Sequence, residues 1–213
     1  MASRSAPSEL DAGARDRLAR QGVLHLPGVL DARQLEAMHA AWDRLASGDR
    51  NIEVKALQDE PAFAPCPADP RVLAAVGALL GPGFRLMEMH GRAPPKGHGR
   101  QGLHIDWHSP VEPDDQIIAN AFFALDDMDA GNGATRLVPG SHRLRQGPRG
   151  TWTQPHGRHP DEQVVSARAG DCIVFSAHVW HSGTDNASGA RRRVVIAQFA
   201  RPDLQIPGFD PLS

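Results

Sequence analysis

The chain has 213 residues, of which 40% are hydrophobic, and a formal net charge of −2 at pH 7 with its eleven histidines neutral. This length and apolar content suit one domain, residues 1–213, around one buried core. The near-neutral charge gives no broad basic surface, which argues against nucleic acid or membrane partners and favours a small-molecule substrate. Two cysteines are too few for a disulfide framework, and no run resembles a signal peptide or a membrane span. A cytoplasmic monomer or homodimer is expected.

The first part of the chain, residues 8–82, is predicted to be mainly helical, after a start at 1–7 that is expected to be disordered. A polar helix capped by Ser8 is predicted over 8–20. Asp31 is expected to cap a second helix, in which apolar residues recur at helical spacing as far as Leu45. A third helix is predicted over 70–80, where glycine and proline end it.

From Phe84 onward short apolar or alternating runs are separated by glycine, proline, asparagine and aspartate, a pattern typical of antiparallel sheets. Besides a short strand at 23–26, the predicted strands span residues 85–90, 104–108, 117–125, 135–138, 163–167, 172–175, 179–183 and 192–199. We therefore expect a mainly β fold with flanking N-terminal helices, a double-stranded β-helix (cupin-like jelly roll) over 84–200. Two long polar segments, 91–101 and 143–162, are predicted to be lids or substrate loops.

The stretch GLHIDWHSP at 102–110 places two histidines symmetrically about one aspartate. On a strand, His104, Asp106 and His108 would project from one face. The Cα atoms of the two histidines would then lie about 13 Å apart, because a strand rises roughly 3.3 Å per residue. A facial 2-His-1-carboxylate iron site needs its three ligands on one triangular face. At most one of these histidines can belong to such a triad, and another ligand must come from elsewhere in the chain.

A second informative run, HVWHSGTDNASGARRRVVIAQFA at 178–200, reads as two strands joined by a polar turn. The simplest hairpin register sets His181 opposite Arg192, with Cβ atoms about 5 Å apart. A shift of one residue would bring Arg191 or Arg193 to that face, so spacing alone leaves the arginine open. A histidine ligand beside a buried arginine suits a dicarboxylate that binds metal at one end and a guanidinium at the other, which points to 2-oxoglutarate.

Together these residues resemble the phytanoyl-CoA dioxygenase family of Fe(II)- and 2-oxoglutarate-dependent oxygenases. The resemblance rests on four features: GVLHLPGVL near the N-terminus, the HxD of HIDWH, FFALDDMDAGNGATRLVPGSHR at 122–143, and a distal histidine with an arginine eleven residues downstream. It implies that His104, Asp106 and His181 bind iron. It also selects Arg192 for the distal carboxylate of 2-oxoglutarate and leaves His108 off the metal.

The resemblance further suggests contacts to 2-oxoglutarate from Met89, Asn120 and Phe122. Gly183 stands where relatives can place a serine against the cofactor carboxylate, and Thr135 is expected to supply that hydroxyl instead. Substrate contacts are predicted for four basic residues around the open face of the iron: Lys96, Arg100, His108 and Arg136.

The implied activity uses Fe(II), 2-oxoglutarate and O2 to hydroxylate an unactivated C–H bond of a small polar metabolite. Asp106 favours hydroxylation over halogenation, because halogenating relatives carry a small residue at that position. Desaturation, ring closure and epimerisation use the same iron site and stay open. Two other classes are kept as alternatives: a zinc hydrolase with the same ligands, and a non-enzymatic cupin-like binding module, against which a buried guanidinium without an anion argues.

Overall fold

The computed structural model describes residues 9–46, 52–54, 56–107 and 115–204. The predicted disordered start, the Ser8 cap and the candidate substrate residue His108 lie outside this part of the chain. Within it, no helix combines the length and the apolar character needed to cross a lipid bilayer.

Antiparallel strands make up most of the described structure. In chain order they are β1 (Val23–Leu26), β2 (Ile52–Val54), β3 (Arg85–Ala93), β4 (Ile118–Ala124), β5 (Thr135–Val138), β6 (Gln163–Val164), β7 (Cys172–Ser176), β8 (Trp180–Gly183) and β9 (Val194–Ala200). One sheet has the order β1-β7-β4-β9-β3-β2, and a second has the order β6-β5-β8. Every pairing is antiparallel, which gives the two-sheet jelly roll expected from the sequence.

The described α-helices are α1 (Ala12–Gln21), α2 (Ala32–Leu45), α3 (Pro65–Ala68) and α4 (Pro70–Leu80). Asp31 and Gln34 cap α2 reciprocally, each side chain accepting from the backbone amide of the other residue at 2.8 Å. The first helix begins later than predicted, because the carboxylate of Asp11 accepts from the amide of Ala14 and so caps α1. The helices pack on the outer face of the larger sheet, where Met38, Trp42 and Phe123 share one apolar core.

Strand alternation divides the larger sheet between two interiors. On β4, Ala121 and Phe123 face the helices, whereas Phe122 and Ala124 face the smaller sheet. A second apolar cluster lies between the sheets, and it joins Phe122 to Leu137 of β5. Any side chain of β4 that contacts a ligand between the sheets must therefore come from the same face as Phe122.

Two sequence predictions about strands are wrong. In its described part, the segment 104–108 makes only a single-residue bridge at His104 and bends at Asp106. The bridge ends there because the neighbouring chain turns between Ser176 and Val179, where the amide of Val179 donates to the carbonyl of Ser176. The predicted strand 163–167 is shortened to β6, and β2 was not predicted.

Candidate active site

A cavity of about 130 Å³ opens between the two sheets. Its walls come from β3, β4 and β9 of the larger sheet, from β5 and β8 of the smaller one, and from the segment 94–106. Asp106 is the only acidic residue among its described lining, and Arg92 and Arg192 are its cations. The cavity is therefore a polar site with both metal-ligating and anion-binding groups.

Three side chains converge at one end of the cavity. One potential ligand atom from each of His104, Asp106 and His181 lies within 4.8 Å of the others, and no other such group occurs in the described residues. Nε2 of His104 is 3.8 Å from one carboxylate oxygen of Asp106, and Nε2 of His181 is 3.5 Å from the other. Two nitrogens and one carboxylate around a common point form the donor set of a facial iron site.

Backbone pairing sets the two histidines side by side. The amide of His104 donates to the carbonyl of His181 and the reverse bond also forms, both at 3.0 Å. Their ring centroids are 4.5 Å apart. Asp106 is held separately, since its amide donates to the carbonyl of Ala177 at 3.0 Å. This isolated bridge brings the distal histidine to the HxD segment without a regular strand.

The hydrogen bonds of the two imidazoles favour one tautomer. Nδ1 of His104 lies 3.1 Å from the carbonyl oxygen of Gly102, and Nδ1 of His181 lies 2.9 Å from that of Val179. A carbonyl only accepts, so each Nδ1 carries the proton and each Nε2 keeps a lone pair directed at Asp106. Burial and, secondarily, the His181 ring lower the pKa of His104. Both effects favour the neutral imidazole that a metal requires.

Asn120 orients the carboxylate of this triad. Its Nδ2 donates to Oδ2 of Asp106 at 2.6 Å, and its Oδ1 accepts from Nε2 of Gln198 at 3.0 Å. Asn120 is fully buried, so its amide has no competing water. The sequence suggested a contact from Asn120 to the cofactor, whereas the structure places it on a candidate metal ligand.

Arg192 lies in the same cavity and is 6% exposed. Nη2 donates to Oγ1 of Thr135 at 3.1 Å, while Nε has no hydrogen-bond partner. Burial, with a smaller contribution from the charge of Arg92, lowers the pKa of Arg192 to about 10. A buried guanidinium with an unused donor is costly, and an anion in the cavity would relieve that cost.

The hairpin that was predicted to pair His181 with Arg192 does not form. His181 lies on β8 in the smaller sheet, whereas Arg192 immediately precedes β9 in the larger sheet. The intervening segment crosses from one sheet to the other. Both side chains nevertheless line one cavity, because the two sheets face each other. Arg191 points to solvent and is paired with Asp43 at 3.5 Å, with 70% of its side chain exposed.

The other predicted cofactor contacts divide into two groups. Phe122 and Thr135 line the cavity. Thr135 pairs directly with Gly183 across β5 and β8, and a side chain at Gly183 would collide with the carbonyl oxygen of Gly99. Thr135 thus presents a hydroxyl to Arg192 from the opposite strand. The expectation for Met89 is wrong, because it faces the helix-side core.

The three predicted basic substrate residues that the structure describes, Lys96, Arg100 and Arg136, do not line the cavity. Arg136 is 1% exposed, and its guanidinium donates to Ser182 at 2.6 Å and to Glu162 at 2.9 Å. It also donates to the carbonyls of Gly157 and Gln101, so it joins the two long polar segments to β5. We correct its role to a structural one.

Lys96 and Arg100 belong to the segment 94–106, but other residues of that segment line the cavity. Lys96 lies next to Gly189, and Nε of Arg100 donates to Asp185 at 2.7 Å. Sequence reasoning missed several residues that do line the cavity, among them His90, Arg92 and Gln198. The alternation of β3 would have identified the first two, because they occupy the opposite face to Met89.

The sequence is similar to one protein family and to curated dioxygenases. The family model described as phytanoyl-CoA dioxygenase (PhyH) matches residues 18–194. Dioxygenase af480 of Aspergillus fumigatus is 26% identical over 90% of this chain and 67% of its own length. Dioxygenase andF of Emericella variicolor is 33% identical over 45% of this chain, and the match spans 31% of that relative.

Solved structures share the fold over nearly the whole chain. The non-heme α-ketoglutarate-dependent epimerase SnoN from nogalamycin biosynthesis is 25% identical, with a TM-score of 0.73 over 94% of this chain and 92% of its own. HygX of Streptomyces hygroscopicus, solved with nickel and 2-oxoglutarate, is 19% identical, with a TM-score of 0.77 over 92% and 89%. The family resemblance and the jelly-roll prediction are confirmed.

Proposed function

We propose that this chain, which belongs to the phytanoyl-CoA dioxygenase family, is an Fe(II)- and 2-oxoglutarate-dependent oxygenase that acts on a small organic molecule. The observation that carries the proposal is that one cavity contains both the His104, Asp106 and His181 cluster and the buried guanidinium of Arg192. A zinc hydrolase needs the first of these features but has no use for the second. A binding module would need neither the facial donor set nor its prearranged tautomers.

The residues fit both ends of the expected co-substrate. His104, Asp106 and His181 would hold Fe(II), which supplies oxygen activation when bound with 2-oxoglutarate. Arg192 would bind the distal carboxylate with its free Nε and with Nη2, and Thr135 would add its hydroxyl. Phe122 and Ile196 would exclude water from the aliphatic part of the co-substrate.

Hydroxylation of an unactivated C–H bond is the reaction we propose first, because Asp106 completes the protein ligand set. Epimerisation is the second candidate, and it is favoured by the similarity to SnoN over 94% of this chain. The neighbour SnoK is a carbocyclase from the same biosynthesis, with 19% identity and a TM-score of 0.71. All three outcomes use one iron site, so the choice between them depends on how the substrate is held.

Anaerobic titration tests the proposal. Adding Fe(II) and 2-oxoglutarate to the native protein should produce the weak visible charge-transfer band of their complex, and admitting oxygen should release succinate. Zn(II) in place of Fe(II) should give neither signal. Absence of the band in the native protein, or hydrolytic activity with Zn(II), would contradict the proposal.

A further inference from the structure

Arg92 is a second cation in the cavity, and the ligands assigned above leave it without a role. Arg92 lies on β3, and its partner on β9 is Val194, which follows Arg192 by two residues. It is half-buried and shares the cavity wall with His104. Its charge contributes to the lowered pKa of Arg192. Arg92 therefore acts on the interior of the site rather than on bulk solvent.

No described residue forms an ion pair or hydrogen bond with the side chain of Arg92. Within β3 the acid on the same strand face is Glu88, whose partner is His90 at 3.4 Å, and across β2 the backbone partner of Arg92 is Glu53. The remaining acid in the cavity, Asp106, accepts from Asn120 and belongs to the candidate metal cluster. Among the described side chains, Arg92 is thus a half-buried arginine that lies beside a second arginine and has no carboxylate partner, and an anion in the cavity would balance its charge.

The charges of the proposed complex do not supply that anion. The charges of Fe(II) and Arg192 are positive, and they are balanced by Asp106 together with the two carboxylates of 2-oxoglutarate when both histidine ligands are neutral. The positive charge of Arg92 is left over. Since the metal and Arg192 already engage the two ends of that dicarboxylate, we assign the further anion to another molecule.

We infer that Arg92 recognises a carboxylate or phosphate group on the organic substrate, with His90 as a neighbouring hydrogen-bonding group on the same strand face. This inference rests on the proposed function and narrows its substrate to anionic molecules. A planar guanidinium bonds either oxyanion through two donors, so the geometry specifies the charge and leaves the parent group to experiment. This inference assigns substrate recognition to Arg92 in place of Lys96, Arg100 and Arg136.

Calorimetry with three probes of similar size tests the inference without turnover. Benzoate, phenyl phosphate and benzamide are titrated into protein loaded with Ni(II) and 2-oxoglutarate. The native protein should bind at least one anionic probe about ten-fold more tightly than neutral benzamide, since a charge-assisted contact is worth about 1.5 kcal/mol or more. Whichever anion binds more tightly identifies carboxylate or phosphate as the group.

Substitutions assign the effect to Arg92. Arg92→Gln should abolish the preference for anions while 2-oxoglutarate still binds within about three-fold of native affinity, a change of less than 1 kcal/mol. Arg92→Lys should restore part of the preference. The control Arg33→Gln removes the same charge from an exposed position on α2 and should leave the preference for anionic probes intact.

Three results would overturn the inference: no anion preference in the native protein, an unchanged preference in Arg92→Gln, or a loss of 2-oxoglutarate binding in Arg92→Gln as large as in Arg192→Gln. The last would make Arg92 part of the co-substrate site. Failure of the native protein to bind 2-oxoglutarate would instead contradict the proposed function, so the two failures are distinguishable.

Discussion

Asn120 donates to Asp106 across 2.6 Å and thereby fixes the carboxylate between the two histidines. Gln198 in turn fixes the orientation of the Asn120 amide. Neither residue needs to touch the metal to influence it, because hydrogen bonds to a ligand tune its orientation and basicity.

Asn120→Ala should weaken Fe(II) binding by about 10- to 100-fold, the usual effect of removing a partner of a metal ligand. Gln198→Ala should have a smaller effect, because Asn120 would retain its bond to Asp106. Metal titration monitored by protein fluorescence, together with a thermal melt of each apo variant, separates loss of affinity from loss of fold. Native-like iron affinity in a folded Asn120→Ala protein would contradict the positioning role.

Arg192→Ala should reduce 2-oxoglutarate affinity by about 10- to 150-fold while Fe(II) still binds, because a charge-assisted contact contributes about 1.5–3 kcal/mol. Arg191→Ala is the matched control, since its side chain is exposed and paired only with Asp43. The charge-transfer titration described above measures both variants. If Arg191→Ala weakened 2-oxoglutarate binding and Arg192→Ala did not, the assignment of Arg192 to the distal carboxylate would be wrong.

Asp171 links β7 to the segment after β1, since its carboxylate accepts from the amides of Gly28 at 2.8 Å and Arg168 at 3.0 Å. Burial alone would raise the pKa of Asp171, but these amides and His25 outweigh it and hold the pKa below its usual value. A lowered folded-state pKa stabilises the protein above the unfolded value of about 3.9, and this contribution is lost as pH falls through the folded value.

Asp171→Asn should therefore lower the free energy of unfolding at pH 7 by about 1–3 kcal/mol and flatten its decline below about pH 4. Urea denaturation at a series of pH values measures both effects. Asp161→Asn serves as the control, because the Asp161 side chain is 79% exposed. An unchanged acid slope in Asp171→Asn would show that other carboxylates govern acid unfolding.

Arg136 holds the segments 91–101 and 143–162 against β5 through Gln101, Gly157 and Glu162. Arg136→Ala should destabilise the fold by about 3–5 kcal/mol, because it leaves the largely buried Glu162 without its partner. Limited proteolysis should then cut within 143–162 faster than in the native protein. Arg168 is exposed, so the control Arg168→Ala should be cleaved at the native rate. Equal cleavage rates of Arg136→Ala and Arg168→Ala would count against the anchoring role of Arg136.

Sequence reasoning predicted the local features that depend on a single periodic pattern. Strand β5 and helix α4 were predicted at their observed bounds, and the cap at Asp31 was predicted from residue type alone. The stretch around His104 was predicted less well, because its alternation resembles a strand although no neighbouring chain continues beside it. Pairing partners are a property of the tertiary fold, and alternation does not encode them.

The candidate site shows the same limit. Its proposed ligands could be selected from motif and spacing, and the structure brings them together. The reason given for grouping His181 with Arg192 was wrong, since they enter different sheets. Arg136 was predicted to contact the substrate, whereas its guanidinium is buried against Ser182 and Glu162. Arg92 was overlooked beside Met89. Alternation along a strand predicts which face of the sheet a charged side chain occupies. Only the packed structure shows whether an acidic side chain already pairs with it.

The crossing between sheets at residues 184–193 has a consequence for chain-length selectivity. His181 and Arg192 are attached to opposite sheets, so the distance between them depends on the spacing of the sheets, whose shared core includes Phe175, Phe122 and Leu137. Close-packed interiors resist changes of even one methylene group. On the proposed assignment, discrimination between keto diacids of four, five and six carbons is therefore governed by the thickness of the jelly-roll interior, and residues remote from the carboxylates would alter it.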